Sequence, residues 1–544
     1  MARPTSIAAG LAILLLALLV RAPGLTAGRP YIHYVDEGYL LHPVTRMLRN
    51  GDWDPRSYFY PPLPAVTVAA AVRLYAPLHP HRHDGRSLRD DLSPDSPPRY
   101  DILEPFELLV LGRGLCLLAG LGLVALTGLY ARRLAGPAAG FFAAFLAALV
   151  PALALRGANA TVDPYAAFFA LACFFFADRV RTSSRPGVEA ALAGLMAGFA
   201  FTSKYPAVAV AAGAALIILL GERSWREKVR LLAFTAAGAV AGAVAAMPAL
   251  VLRPREVWQA IELVARFYRR LSPAPLWKQA LVRAEWDLPY EHPELGTAFL
   301  LLAAAGALLG LRDRRLARTV AGWLLVCAIS LTFVLSQGFQ PFRNVLPLVP
   351  LVCVAVSFVF IEIRTRLVHP HWVDAAAVLL VLAGFGLPLA GHARERMRLV
   401  DSRVQAVDWL AARVQPGDTV LVAAELAFLP SELERLKCRV LVRRWNQAVS
   451  LLDRQRPEYV VAGRLRRQRG ATVNAARHEL LRRFYDVRAR FGEAPRPRLW
   501  HGNRKAVFVM RRQSFTPTPM APARPSPTRS PAADRPAGRD RAGR

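Results

Sequence analysis

Residues 108–133 read LLVLGRGLCLLAGLGLVALTGLYARR, a long apolar run with a basic end. Between residues 108 and 130 the only charged residue is Arg113, and a run of this length can cross a bilayer as one helix. The run ends in Arg132 and Arg133. A long apolar helix that ends in arginines is typical of a membrane span whose basic end stays in the cytoplasm.

Similar apolar runs recur along the chain and predict about eleven transmembrane helices. They cover residues 5–20, 108–130, 135–155, 158–177, 188–203, 205–220, 231–252, 295–311, 319–335, 345–361 and 373–390. The net charge of +31 would also suit a nucleic-acid-binding protein. However, the basic residues lie in the gaps between apolar runs, which favours a membrane protein and excludes nucleic acid as the expected partner. Residues 21–25 offer no clean cleavage site, so we expect the first run to be an uncleaved helix.

The short loops between these spans predict the orientation. Alternate loops are basic, at residues 131–133, 178–185, 222–230, 312–318 and 364–366. Basic loops stay in the cytoplasm, so the N-terminus is predicted to be cytoplasmic. The membrane is expected to be the cell inner membrane. A tight turn at residues 203–206 keeps both neighbouring basic loops inside and places Lys204 on the outer face.

Three regions follow from this topology. Residues 1–391 form a transmembrane domain with an extracytoplasmic first loop at 21–107. Residues 392–513 form a small extracytoplasmic α/β domain, with strands predicted at 419–423, 439–442, 459–462 and 506–510 and helices at 402–414 and 478–487. Residues 514–544 are rich in Pro, Arg, Ala and Ser, and we expect them to be disordered.

The first outer loop carries the adjacent acids Asp36 and Glu37 within the segment YIHYVDEGY at residues 31–39. Buried carboxylates near a membrane surface can act as a general base or bind a metal ion. The alternative interpretation is a cap and first-turn acid pair that begins an interfacial helix. Downstream, the segments GDWDP at 51–55 and YPPLP at 60–64 indicate a rigid turn, since paired prolines fix the backbone.

This combination resembles the GT-C membrane glycosyltransferases. The likeness is greatest to the bacterial branch related to protein O-mannosyltransferases and aminoarabinose transferases. Further matching segments occur in order along nearly the whole chain: ATVDP at 160–164, FTSKYP at 201–206, FRNVLPLVP at 342–350 and AVDWL at 406–410. The resemblance implies an all-α GT-C fold and transfer of a sugar from a polyprenyl-phosphate donor to an extracytoplasmic acceptor, with inversion.

The resemblance also implies roles for the acidic residues. Asp36 would deprotonate the acceptor hydroxyl, Glu37 would be its neighbour in the site, and Asp163 would be a second acidic site residue. For Asp163 a helix cap remains an alternative. These three carboxylates could coordinate a divalent metal or act without one, and no other cofactor is expected.

The donor phosphate needs cations, because negative charge develops on it as it leaves. Arg113, Lys204 and Arg343 are the predicted phosphate-binding residues. Snorkelling to the interface is the alternative for Arg113, and helix-end anchoring is the alternative for the others. The aminoarabinose branch has a lysine immediately before the paired prolines, whereas this chain has Tyr60 there. That lysine holds the donor phosphate, so phosphate binding in this chain must use other cations. Tyr60 occupies the position of the lysine and is assigned to the donor-binding residues, and the site departs from that branch.

A membrane transporter of a small or lipid-linked solute is the competing class. It should show broken helices in corresponding halves around polar residues at the middle of the membrane. The polar residues of this chain instead cluster at one membrane face, which favours the glycosyltransferase. The acceptor could be protein, lipid or glycan.

Overall fold

The computed structural model describes residues 4–28, 31, 35–75, 106–269, 297–335, 342–398, 400–426, 428, 430–444, 452, 455–463, 485–491 and 507–512. The predicted disordered tail at 514–544 lies outside these residues. Nineteen α-helices are numbered in chain order. They are α1 Pro4–Arg21, α2 Val35–Asn50, α3 Leu63–Tyr75, α4 Phe106–Ala135, α5 Pro137–Leu149, α6 Pro151–Arg156, α7 Asp163–Arg179, α8 Pro186–Ser203, α9 Ala209–Leu219, α10 Trp225–Ala246, α11 Ala249–Leu252, α12 Pro254–Arg269, α13 Thr297–Arg312, α14 Ala317–Leu335, α15 Val349–Arg366, α16 Pro370–Val381, α17 Leu387–Met397, α18 Ser402–Ala411 and α19 Pro430–Glu434.

The predicted polytopic helical bundle is confirmed, and each of the eleven predicted spans overlaps a helix among the described residues. Within the described part of the chain, six helical stretches are long and apolar enough to cross a membrane unaided. These are Ile7–Gly24, Leu108–Ala135, Trp225–Ala246, Ala317–Val334, Arg343–Arg366 and Pro370–Ala411. Four shorter apolar helices accompany them, at Leu63–Tyr75, Pro137–Leu149, Tyr205–Leu219 and Phe299–Arg312.

Two predicted spans are broken by prolines that the hydropathy pattern did not resolve. The span at 135–155 divides into α5 and α6 because Pro151 lacks the N–H that would continue the helical ladder. The span at 231–252 ends as a regular helix at Ala246 and resumes after Pro248. The predicted turn at 203–206 is confirmed, since α8 ends at Ser203 and Lys204 is extended.

Helices α8 and α10 approach each other so closely that their backbones touch. A methyl group on Gly194 would overlap the Thr235 carbonyl, and one on Gly238 would overlap the Ala191 carbonyl. In lipid, helices associate through close packing of this kind, because the membrane offers no hydrophobic driving force between apolar surfaces.

Four of the five predicted basic loops meet at one end of the bundle. Three contacts join them: Arg133 to Asp178 at 2.9 Å, Arg181 to the Arg315 carbonyl at 3.1 Å, and Arg223 to the Val180 carbonyl at 3.2 Å. Helix α7 starts at Asp163 and ends beside these loops at Arg179. The acidic start of α7 therefore lies at the opposite end of the bundle from the basic loops.

The C-terminal part contains a five-stranded sheet in the order β2-β1-β3-β5-β4. Its strands are β1 Thr419–Ala423, β2 Arg439–Arg443, β3 Tyr459–Gly463, β4 Tyr485–Phe491 and β5 Val507–Arg512. The first three strands run parallel, whereas β5 runs antiparallel to β3 and β4. Helix α18 packs Ala406, Val407 and Leu410 into the core of this sheet.

One secondary-structure prediction in this domain is wrong. Residues 485–487 were expected to end a helix, but they begin β4. The segment YDVRARF places Tyr485, Val487, Ala489 and Phe491 at every second position. That spacing is the period of a strand, and it outweighed the helical pattern read across 478–487.

Candidate active site

Asp36 lies in the first turn of α2, which begins at Val35, as the alternative interpretation of the acid pair expected. Its carboxylate is buried and forms an ion pair with the Arg343 guanidinium. The Tyr60 hydroxyl approaches the other carboxylate oxygen at 3.4 Å, a long distance for a hydrogen bond. The structure thus brings together residues from the first loop and from the turn Phe342–Leu348, which are far apart in sequence.

A second ion pair lies beside the first. The Lys204 ammonium donates to Asp163 Oδ1 at 2.6 Å and to the Arg343 carbonyl at 3.0 Å. Asp163 begins α7, and Lys204 is the extended residue after α8. Both side chains are buried, so the pair joins two helix ends within an environment that strengthens charge interactions.

These two pairs line one small cavity together with Tyr60. Thr161, Val162 and Asn344 complete the lining. The cavity measures about 10 Å³, which is room for roughly one water molecule. Five of the seven predicted site residues therefore share a cavity, which must open to admit a sugar. The two that do not line it are Glu37 and Arg113.

Glu37 and Arg113 form a fully buried brace next to the cavity. Arg113 Nε and Nη2 donate to the two Glu37 oxygens at 2.7 and 2.8 Å, and its Nη1 donates to the carbonyls of Leu25 and Ala27. The Ala160 N–H donates to Glu37 at 3.0 Å. The brace thus ties α2 and α4 to the loop just before Asp163.

This geometry revises the interpretation of Arg113. The sequence offered phosphate binding or snorkelling, whereas in the structure its donors point to Glu37 and to backbone carbonyls. Glu37 likewise faces Arg113 and not the cavity. An arginine inside a span usually has a buried partner, and this rule was the available signal for the pairing.

A network that sequence reasoning missed supports the same loop. The Tyr58 hydroxyl donates to Asp54 at 2.8 Å, Arg253 pairs with Asp54 at 2.9 Å, and Tyr205 donates to the Tyr58 carbonyl at 2.7 Å. Burial and the hydrogen bond to Asp54 raise the pKa of Tyr58, so its phenol stays protonated and donating. The segment before Tyr60 is thereby fixed to the start of α9 and to the region after α11.

The three predicted carboxylates do not form a preassembled metal site. Among the residues that the structure describes, no group of three or more His, Cys, Asp or Glu side chains could hold a metal ion. Asp36, Glu37 and Asp163 each have a cation as partner. A divalent metal would have to displace an arginine or lysine from these carboxylates, and its involvement stays a prediction.

Comparisons with known proteins identify the class of fold: it is the GT-C fold of integral membrane glycosyltransferases. The family described as "Dolichyl-phosphate-mannose-protein mannosyltransferase" matches residues 111–251, a segment that includes Arg113, Asp163 and Lys204. No curated protein sequence matches the chain significantly.

Solved structures of ArnT and of an archaeal oligosaccharyltransferase are among those similar to the chain. ArnT from Cupriavidus metallidurans in the apo state has 14% identity and a TM-score of 0.51, with 92% of this chain and 97% of ArnT covered. ArnT bound to undecaprenyl phosphate has 14% identity and a TM-score of 0.50, with coverages of 93% and 97%. The apo Archaeoglobus fulgidus oligosaccharyltransferase has 12% identity and a TM-score of 0.46, with coverages of 84% and 69%.

Proposed function

We propose that this chain is a glycosyltransferase that moves a sugar from a polyprenyl-phosphate donor to an extracytoplasmic acceptor, with inversion at the anomeric carbon. The observation that carries the proposal is the convergence of Asp36, Asp163, Lys204 and Arg343 on one buried cavity. The GT-C fold supports it, and the similar ArnT has been crystallised bound to undecaprenyl phosphate.

Lys204 and Arg343 are the proposed phosphate-binding cations. When the bond between the anomeric carbon and the phosphate oxygen breaks, the phosphate gains negative charge. Buried cations that are already in position stabilise this charge more than water does. The hydrogen bond from Lys204 to the Arg343 carbonyl holds the two cations at one place. Arg113 acts through Glu37 as a positioning residue, because its donors are engaged away from the cavity.

Asp36 is the proposed general base. It takes the proton of the acceptor hydroxyl as that oxygen bonds to the anomeric carbon and the polyprenyl phosphate leaves with the electron pair of the broken bond. Arg343 and Tyr60 now face the two oxygens of Asp36. An acceptor hydroxyl can contact Asp36 only after Arg343 or Tyr60 has moved away from one of these oxygens. Asp163 keeps Lys204 oriented and lowers the energy of burying its charge.

We further propose that this site faces away from the cytoplasm of the cell inner membrane, with the N-terminus inside. The four basic loops that meet at the opposite end of the bundle support this orientation. The same topology places the C-terminal sheet domain outside. A transporter is not favoured, because the buried charge pairs beside the cavity sit at helix ends and not around breaks in the middle of two matching halves.

The test is Asp36→Asn in the full chain, with Asp52→Asn as a matched control in the same loop. Purified proteins in detergent receive short-chain polyprenyl-phosphate hexose or pentose, labelled in the sugar, together with envelope membranes as acceptor source. We expect label transfer to fall at least about a hundredfold for Asp36→Asn, the usual contribution of a general base, and to be unchanged for the control. Retained transfer in a folded Asp36→Asn protein refutes the assignment.

A further inference from the structure

A second charged cavity lies at the end of the bundle opposite to the candidate active site. It measures about 260 Å³ and lies between the ends of α7 and α9 and the starts of α10 and α14. Helix α7 separates the two cavities: it has 17 residues and so spans about 25 Å at 1.5 Å per residue. This second cavity therefore belongs to the other membrane surface.

The lining of this cavity is amphipathic. Its inner part is apolar and includes Ile217, Ile218 and Leu231, which are buried side chains. Its lining also carries the cations Arg181, Arg223 and Arg318 and the acid Glu222, all exposed or half-buried, and the buried acid Asp178. A cavity with an apolar floor and a basic rim at a helix end matches a molecule that has an anionic head and an apolar body.

Most of the charged side chains that line this cavity already have partners. Asp178 accepts from Arg133 at 2.9 Å and from the Thr319 hydroxyl at 2.9 Å. Arg223 pairs with Glu227, and its other terminal nitrogen donates to the Val180 carbonyl. Arg181 donates to the Arg315 carbonyl at 3.1 Å. The acid Glu222 also lines the cavity, and its charge attracts Arg318.

Arg318 is different from the other rim cations. It is half-buried at the start of α14, and among the described residues its guanidinium has neither an ion pair nor a hydrogen bond. Arg181, Glu222 and Asp178 are the charged groups that act on it, and Arg181 repels it. A half-buried guanidinium whose donors have no partner among the described residues can bind the anion of a ligand.

We infer that this cavity binds the phosphate group of an anionic phospholipid, with Arg318 as the main cation and Arg181 beside it. A guanidinium can hold two phosphate oxygens at once, and basic pockets between transmembrane helices are known binding sites for such headgroups. The apolar floor favours a lipid over free phosphate, because it gives the glycerol and the first methylene groups a surface to cover. The inference does not depend on the proposed transferase activity.

The test is lipid binding by the purified full chain, delipidated in mild detergent and observed by native mass spectrometry. The probes are short-chain phosphatidylglycerol, short-chain phosphatidylcholine and inorganic phosphate. We expect one saturable phosphatidylglycerol, weaker phosphatidylcholine, and competition by phosphate only at much higher concentration. Arg318→Gln should weaken phosphatidylglycerol binding at least about tenfold, since a hydrogen bond to a charged group contributes about 1.5–3 kcal/mol.

Matched variants distinguish this site from general surface charge. Arg314→Gln removes an exposed arginine from the same loop without touching the cavity, and it should bind as the unmodified protein does. Arg318→Lys should keep part of the affinity, and Glu222→Gln should increase it. Without lipid, Arg318→Gln should be at least as stable as the unmodified protein, because no partner is lost.

Two results overturn the inference. Equal phosphatidylglycerol binding by Arg318→Gln and Arg314→Gln would show that this cavity is not the lipid-binding site. Binding of inorganic phosphate that depends on Arg318, with no lipid able to displace it, refutes the phospholipid as the source of the phosphate. Each readout is a bound mass and not a transfer rate, so failure of the proposed enzymatic function would leave this test unaffected.

Discussion

Removal of one charge from the Glu37–Arg113 brace should be strongly destabilising. The Glu37 side chain is fully buried and accepts hydrogen bonds from two Arg113 nitrogens and from the Ala160 N–H. In Glu37→Gln, the new amide must turn an N–H toward an arginine donor, and the Arg113 charge is left buried without an anion. Breaking a buried pair in this way costs about 3–5 kcal/mol.

The assay is reversible unfolding of the purified full chain in mixed micelles of mild detergent and dodecyl sulfate, followed by circular dichroism. Glu37→Gln should lower the free energy of unfolding by that amount, and so should Arg113→Gln. The double variant removes both charges, so it should lose much less than the sum of the single variants. The expected coupling energy is about 2–3 kcal/mol.

The matched control is Glu262→Gln, which removes one partner of the exposed pair Arg266–Glu262 on α12. An exposed pair of this spacing is worth about 0.3–0.5 kcal/mol, so the control should change stability very little. The reasoning is refuted if Glu37→Gln behaves like this control, or if the two brace variants are additive.

The remaining predictions concern the cavity, the contact with the C-terminal domain and the topology. Lys204→Ala and Arg343→Ala should raise the apparent KM for the polyprenyl-phosphate donor more than that for the acceptor, and equal effects on both substrates would contradict their assignment. Asp36→Asn should bind short-chain polyprenyl phosphate more tightly than the unmodified protein in equilibrium titration, because Arg343 loses its carboxylate partner. Weaker binding would contradict the proposal that Arg343 exchanges the Asp36 carboxylate for the phosphate. Arg403→Leu should loosen the attachment of the C-terminal domain and increase proteolysis near residue 400, since the Arg403 guanidinium lies 3.5 Å from the centre of the Tyr31 ring in the first loop. The control is Arg413→Leu, because Arg413 contacts a ring within the C-terminal domain itself. A reporter that requires the periplasm should be active when fused after Arg512, and a cytoplasmic result would overturn the proposed orientation.

Charge and hydropathy patterns predicted the fold well because the membrane imposes strong rules on both. The basic loops could be assigned to one side before any contact was known, and the structure joins them through Arg133, Arg181 and Arg223. The helix break at Lys204 followed from the same rule. Pro151 was readable as a helix break, but the apolar run continues without interruption on both sides of it.

The pairing of site residues could not be predicted from the sequence. A pattern shows that Arg113 is costly in a span, but it does not show that Glu37 is the partner, since the two are 76 residues apart. Only the packing of α2 against α4 brings them together. For the same reason, the sequence predicted Lys204 and Arg343 as phosphate-binding cations but did not indicate that each is held by a carboxylate.

This pairing explains how the proposed reaction can proceed in a buried site. Asp36, Asp163, Lys204 and Arg343 together are neutral, so the resting cavity needs no counterion. A phosphodiester donor brings one negative charge, and the leaving polyprenyl phosphate carries a second one. As that second charge develops, Asp36 takes the acceptor proton and becomes neutral. Arg343 is then released from its carboxylate and becomes available to the phosphate when the phosphate most needs it. Proton transfer and leaving-group stabilisation are thus coupled through one arginine, and Lys204, still paired with Asp163, keeps that arginine's backbone in place.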